Sequence, residues 1–330
     1  MSVLADDLML HGCANMPQDD VSTVGGSVDT SIKIPFINVP SAMQVQIVSS
    51  NAADVAEDVI ITYRNTAGVL LAETINLNGQ TPVGSVETDV KTLLKAVKQA
   101  STVGKVAVEG VTATRTGTAV GGAARTSSQM AYITLDSGAS GSDDTYNGQV
   151  LRLTSGVGAG QIAEILKYRG SDKRAWVRGD WSVVPTSSSV FRICPGMVFD
   201  RNPVQIMTVQ DFLYDISSDP TVAKDYYVKL AMVNHHATLA LTGAIILETD
   251  DPSGIVEFGL AATLDDSGTS TNRLTTPGGI TFNSSSKPVA NSGNHSPGSA
   301  QGIWIHLPLV AGAAALSTYY QPRETGASVA

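Results

Sequence analysis

Gln149-Val150-Leu151-Arg152-Leu153-Thr154 runs into Ser155-Gly156-Val157-Gly158-Ala159-Gly160-Gln161, which runs into Ile162-Ala163-Glu164-Ile165. Two short strand-forming runs flank a glycine-punctuated turn, and residues of this kind form a tight hairpin in which the glycines take positive φ. A dinucleotide-binding loop is the competing reading of the glycines, but it needs a helix after them. Strand-like residues 162–168 follow instead. Working outward, residues 131–135, 175–177 and 190–193 repeat the pattern of brief apolar runs separated by turns, which is the signature of a small β-barrel or sandwich.

On the N-terminal side, residues 45–48, 59–63 and 69–75 read as strands, with a hairpin loop at 65–68. Residues 86–99 read as an amphipathic helix. Val86, Val90, Leu93, Leu94 and Val97 recur at one-face helical spacing, acidic Glu87 and Asp89 precede them, and Lys95 and Lys98 follow. Residues 1–28 lack a clear pattern and read as an extended arm. On the C-terminal side, residues 211–219 read as a connector, and 226–233, 238–247 and 255–261 as strong strands. Residues 302–307 and 315–320 read as the last strands and 324–330 as a tail. Residues 265–300 form a Ser/Thr/Asn/Gly/Pro-rich loop, long for a compact domain, in which Leu274, Ile280 and Phe282 suggest partial packing.

The expected fold is therefore mainly all-β: tandem β-sandwich or small β-barrel domains with one amphipathic helix. The expected division is an arm at 1–28, a β-domain with the helix at 29–125, a central β-module at 126–195, and a C-terminal β-sandwich at 196–330.

Composition narrows the function classes. The chain has 330 residues, of which 42% are hydrophobic, so it has material for real cores. Charged residues are only 15%, well under the roughly 25% usual for soluble domains. A weakly charged surface resists association poorly, which suits one covered by partners. The net charge of −9 and the lack of a basic cluster argue against phosphate-backbone binding. The densest basic stretch, residues 167–178, is interrupted by turn residues and Trp176. Cys13 and Cys194 are too isolated to form a disulfide framework or zinc site, and Cys194 reads as a buried thiol. No basic-then-apolar leader is visible and no run approaches about 18 apolar residues. The expectation is thus a soluble chain made in a cytoplasm.

The stretch from Asp143-Asp144-Thr145-Tyr146-Asn147-Gly148 through Ser155–Gln161 to Trp181-Ser182-Val183-Val184-Pro185 and Ser189-Val190-Phe191-Arg192-Ile193 resembles a β-module of tailed-bacteriophage structural proteins. The shared pattern is Tyr-Asn-Gly, strand, Ser-Gly-x-Gly-Ala-Gly-Gln, strand, turn, strand, Pro-x-x-Ser, strand. Leu77-Asn78-Gly79-Gln80-Thr81-Pro82 and the strands at 226–247 and 302–307 are more weakly similar to the flanking domains of such proteins. The resemblance implies a virion subunit and brings no catalytic or cofactor residues with it. It leaves head, neck, tail or baseplate placement open.

The chemistry-bearing residues read as structural. His235 and His236 point to opposite faces of a strand and cannot chelate one ion from there. His295 and His306 meet only if folding joins them. Asp143-Asp144 with Asn147, Asp250-Asp251 and Asp265-Asp266 lack the calcium-loop pattern. No nucleophile elbow is present, and with aromatics at 5% there is no evident sugar platform. Trp176, Trp181 and Trp304 read as core or interface filler. No catalytic, cofactor or metal residue is expected, nor any enzyme activity.

The expected role is a structural subunit of a tailed-phage particle, as a tail, baseplate or neck component or a head-decorating protein. It would contact other copies of itself and other virion proteins, but neither nucleic acid nor membrane. The arm, the 265–300 loop and sheet edges would make the contacts, so removing residues 1–28 should weaken assembly while leaving the cores folded. The rival readings are a tail-fibre-type module that binds host-surface polysaccharide and, more weakly, a secreted bacterial adhesin.

Overall fold

The computed structural model describes residues 2–16, 25–34, 39–199, 205–207, 221–251, 253–312 and 320–328. The protein is all-β. The strand pairs whose register is described are antiparallel, and the helical segments among the described residues are two single turns, Ala5–Asp7 and Ala290–Gly293. The sheets are open, and none closes into a barrel. The chain divides into two compact units, one of Met1–Val3, Asp7–Ile34 and Val209–Ala330, the other of Leu4–Asp6 and Pro35–Thr208.

The described part of residues 1–28, residues 2–16 and 25–28, is built into a sheet rather than forming an arm. Strand β1 (Leu8–Ala14) lies between β2 (Ser27–Lys33) and β18 (Lys224–Asn234), with Leu8 opposite Asn234 and Cys13 opposite Val28. Leu10, His11 and Cys13 are buried there. A strand covered on both faces shows no alternation, so its sequence reads as unpatterned.

The second unit is three-layered. The middle layer is a four-stranded sheet in which β16 (Gly196–Phe199) and β3 (Val45–Ser49) flank β8 (Val106–Gly110), with β6 (Val83–Gly84) at its edge. Every residue of β8 and β16 is buried. One face supplies Val45, Ile47, Val106, Val108 and Phe199 to a core shared with β4 (Asp58–Asn65), β5 (Leu70–Asn76) and β7 (Val90–Lys98). Its other face supplies Val48, Ala107 and Val198, which pack on Val150 and Ile162. The N-terminal β-domain and the central module therefore share a core, and no domain boundary falls near residue 125. Strand β17 (Gln205–Met207) pairs with the outer side of β7.

The third layer is a seven-stranded sheet. It comprises β10 (Gly121–Ala123), β11 (Tyr132–Thr134), β14 (Arg174–Val177), β13 (Ile162–Arg169), β12 (Val150–Ser155), β15 (Val190–Cys194) and β9 (Arg115–Thr118), in that order. The central module thus starts at Arg115 and is an open sheet whose own core centres on Ile133, Leu151, Ile165, Tyr168 and Phe191.

The helix expected over residues 86–99 is a strand. The register slips once at Leu94, between the Thr62–Lys95 and Tyr63–Leu93 pairs, and again at Lys91. Each bulge advances the alternation by one residue. Val90, Leu93, Leu94 and Ala96 all turn inward as a result, and their spacing imitates a helical face. Val86, counted on that face, is 88% exposed.

The first unit continues with β19 (Leu241–Asp250), β20 (Glu257–Leu264), β21 (Lys287–Pro288), β22 (Ala300–Leu309) and β23 (Gln321–Ser328). Strands β20, β22, β18, β1 and β2 lie in one sheet, and β21, β19 and β23 in another. The residues expected as a C-terminal tail instead form β23, along β19. The 265–300 loop is packed down by the Gly25–Ser270 and Leu241–His295 bridges. The expected connector at 211–219, and the strand at 315–320 except for Tyr320, lie outside the described residues.

Candidate assembly surfaces and the fate of the polar side chains

The residues of the central motif build turns. Gly156, Gly158 and Gly160 have φ of 77°, 78° and 89°, conformations that only glycine takes without strain. Gln161 accepts hydrogen bonds from Ser182 N (2.8 Å) and Val183 N (3.2 Å), and its Nε2 donates to Val183 O at 2.7 Å. It thereby ties the hairpin to the Trp181 turn. Ser189 Oγ donates to Val157 O at 2.6 Å from the other side. Tyr146 is buried edge-on to Tyr168, ring centroids 4.7 Å apart. A Cβ on Gly156 would stand 1.8 Å from Ser188 O. Gly156→Ala should therefore lower stability by about 2 kcal/mol or more. Gly121→Ala, where a Cβ meets nothing within 4 Å, should be close to neutral. Parallel thermal melts of the two variants check this, and equal melting temperatures would refute the strained-hairpin account.

The acidic pairs are likewise engaged in turns. Asp143 accepts from Gly170 N at 2.7 Å, and Asp144, with φ 61°, accepts from Asn147 Nδ2 at 2.9 Å. Asp251 accepts from Val256 N at 2.9 Å and Asp265 from Ala300 N at 2.8 Å. Asp266 meets the buried Lys229 Nζ at 2.6 Å, and the same ammonium donates to the Asp266 and Gly268 carbonyls beside the Trp304 ring. Among the described residues, no three His, Cys, Asp or Glu groups are arranged to hold a metal.

The histidines separate into different roles. His11 Nε2 lies 2.8 Å from His235 Nε2, with His11 Nδ1 3.0 Å from Ile32 O. The Ile32 carbonyl only accepts, so His11 Nδ1 carries the hydrogen, and one further hydrogen lies between the two Nε2 atoms. His236 Nδ1 accepts from Leu239 N at 2.9 Å. His295 is buried, with Nδ1 2.6 Å from Glu324 Oε1 and Nε2 3.0 Å from Ser299 O. By the same logic Nε2 is protonated and one further proton sits between Nδ1 and Glu324. This pair fastens β23 in place, and its members are too far apart in sequence for spacing to reveal it. His306 lies between Glu257 (3.0 Å) and Asp225 (2.9 Å) and stacks on Tyr227 at 4.8 Å. Aromatic and acidic groups do converge there, but His306 takes up both carboxylates and Tyr227 is buried.

Cys13 and Cys194 are both buried, and burial pushes each thiol up to about 12. Glu109, wholly buried on β8, accepts from Arg152 at 2.9 Å and from Gln46 at 2.7 Å. This polar contact crosses the interface between the middle and third layers.

Two surfaces remain exposed and chemically distinct. On the outer face of β13, β14 and β11, Arg169 lies over Trp176 (5.0 Å) and Arg174 over Tyr132 (4.8 Å), with the two rings 6.2 Å apart. Lys167 pairs across from Trp176. Trp181 and Trp304 are buried as expected of core residues, whereas Trp176 is half-buried. The second surface is a rim beside β5. Glu73 Oε1 accepts from Val86 N at 2.7 Å, and Asp89 accepts from Thr66. Val86 is exposed beside these carboxylates. Three cations of the basic stretch that looked broken in sequence, Lys167, Arg169 and Arg174, meet on one face because the turn after β13 folds the chain back onto β14, while Lys173 donates to Ser140 O and Arg178 pairs with Glu164.

No protein-family model matches the chain, and no curated protein matches it. Among solved structures, it is similar to a protein of T=1 particles derived from infectious bursal virus. The identity is 10%, with 99% of this chain and 66% of that chain covered, at a TM-score of 0.14. A score of that size carries no argument. The class fixed by the architecture is an all-β, multi-sheet protein with two units.

Proposed function

We propose that this chain is a structural subunit of a tailed-bacteriophage particle, working through protein–protein contacts in a symmetric assembly rather than by catalysis. The observation that carries the reading is the outer face of the central sheet. It presents Trp, Tyr and Arg together, the residue types that dominate binding energy at protein interfaces. The motif residues behind the phage resemblance support it, because they are spent on a rigid hairpin scaffold. The experiment is sedimentation velocity and electron microscopy of the purified full chain, with mass spectrometry of virions from the phage that encodes it. Rings or larger closed assemblies, and a fixed copy number per virion, are the expected results. A concentration-independent monomer that is absent from virions would overturn the proposal.

A further inference from the structure

We propose that the cation–aromatic face of β11, β14 and β13 docks onto the acidic rim beside β5 of a second copy of this chain. This rests on the structural-subunit reading and specifies the contact that would serve it.

The face carries Lys167, Arg169 and Arg174 against two nearby carboxylates, Asp172, which binds both arginines, and Asp143, which accepts from Gly170 N beside Arg169. The arginine side chains are 44% and 39% exposed, so their guanidinium planes stay open to a partner. Each lies against a ring, and the Tyr132–Trp176 cross-strand pair holds the rings side by side. Such stacking fixes the guanidinium before a carboxylate arrives, so little side-chain freedom is lost on binding.

The rim supplies the complement. Glu73, Glu87 and Asp89 lie close enough that all three charges act on the Tyr63 hydroxyl, which burial and these carboxylates push up to about 12. Val86, at 88% exposure beside Glu87, gives the same surface an apolar side chain that gains by being covered.

Charge selects the occupant. The whole chain carries −9, so a second copy is drawn to the cationic face. A phosphate backbone meets only three cations here and is repelled by the rest of the molecule. Face and rim are different patches, so the contact is heterologous and generates a ring if its rotation closes and a filament if it does not.

The test uses two charge-reversed full-length variants, Arg169→Glu/Arg174→Glu on the face and Val86→Lys/Glu87→Lys on the rim. All four positions are at least partly exposed. A cooperative melt matching the wild type verifies each fold, and either variant alone is sufficient if the other misfolds. Each variant by itself should lose self-association by at least about tenfold, because like charges meet across the contact. An equimolar mixture of the two should recover it, since reversed face and reversed rim complement each other. If both variants assemble as the wild type does, or the mixture fails to recover, the contact is wrong while the subunit reading stands. If the face variant keeps its self-association but loses binding to a single-stranded oligonucleotide or an anionic polysaccharide, the assigned occupant is wrong. A wild-type chain that is monomeric and missing from virions instead defeats the subunit reading itself.

Discussion

A chain lacking residues 1–28 should lose the fold of the unit that contains β18, not merely its contacts with neighbours. Strand β1 is hydrogen-bonded on both sides, to β18 from Leu8 to His11 and to β2 from His11 to Ala14. Leu10, Cys13 and Met16 are at most 5% exposed. Burying each large apolar side chain stabilises by roughly 1.5–3 kcal/mol, and the lost ladder bonds add about 1 kcal/mol apiece. The sum is comparable with the roughly 5–15 kcal/mol that holds a whole domain together. Hydrogen exchange read by mass spectrometry should show β18 and β22 unprotected in the truncated chain, with β8 and β12 still protected. Protection of β18 equal to wild type would mean that the N-terminal strand is dispensable, as the arm reading expected.

Glu109→Ala should be among the most destabilising single substitutions, at about 3–5 kcal/mol. The carboxylate is inaccessible, and its removal leaves Arg152, 8% exposed, charged and without a counter-ion between two sheets. Arg192, 3.8 Å away, loses the same anion. The arrangement is already imperfect, because Glu109 Oε2 and Arg152 Nε have no hydrogen-bond partner. Replacing both members by leucine removes two desolvated charges together, so Glu109→Leu/Arg152→Leu should recover most of the loss. Urea titrations followed by tryptophan fluorescence measure both variants. A double variant no more stable than the single one would show that the network contributes more than the cost of an orphaned charge.

The all-β class was legible because most strands are half-buried and alternate, as in residues 59–63, and because glycines mark the hairpin at 156–160. What defeated the reading was physical. Two bulges in β7 shifted its phase and counterfeited a helix. Strand β1, covered on both faces, has no alternation to read. Strand β23, Gln-Pro-Arg-Glu-Thr-Gly-Ala-Ser, looks like a tail because its place is set by pairing with β19 and by one buried contact, Glu324 to His295. The turn roles of Asp143, Asn147 and the glycines could be read locally. The cation–aromatic face could not, since it arises only when β13 and β14 bring Arg169 opposite Arg174 and Lys167 opposite Trp176.

The interleaving of chain ends has a consequence for biosynthesis. Residues Asp7–Ile34 complete a unit whose remaining strands come from Val209–Ala330, while Pro35–Thr208 form the other. As the polypeptide leaves the ribosome, its first strand has only β2 to pair with, and its other neighbour, β18, is not made until more than half of the sequence has been translated. The intervening layers can collapse meanwhile, because apart from Leu4–Asp6 their residues lie between the two halves of the late unit. The early β1–β2 hairpin must wait with one edge open through that interval, so slowed elongation or chaperone depletion should trap nascent chains at this stage before any other.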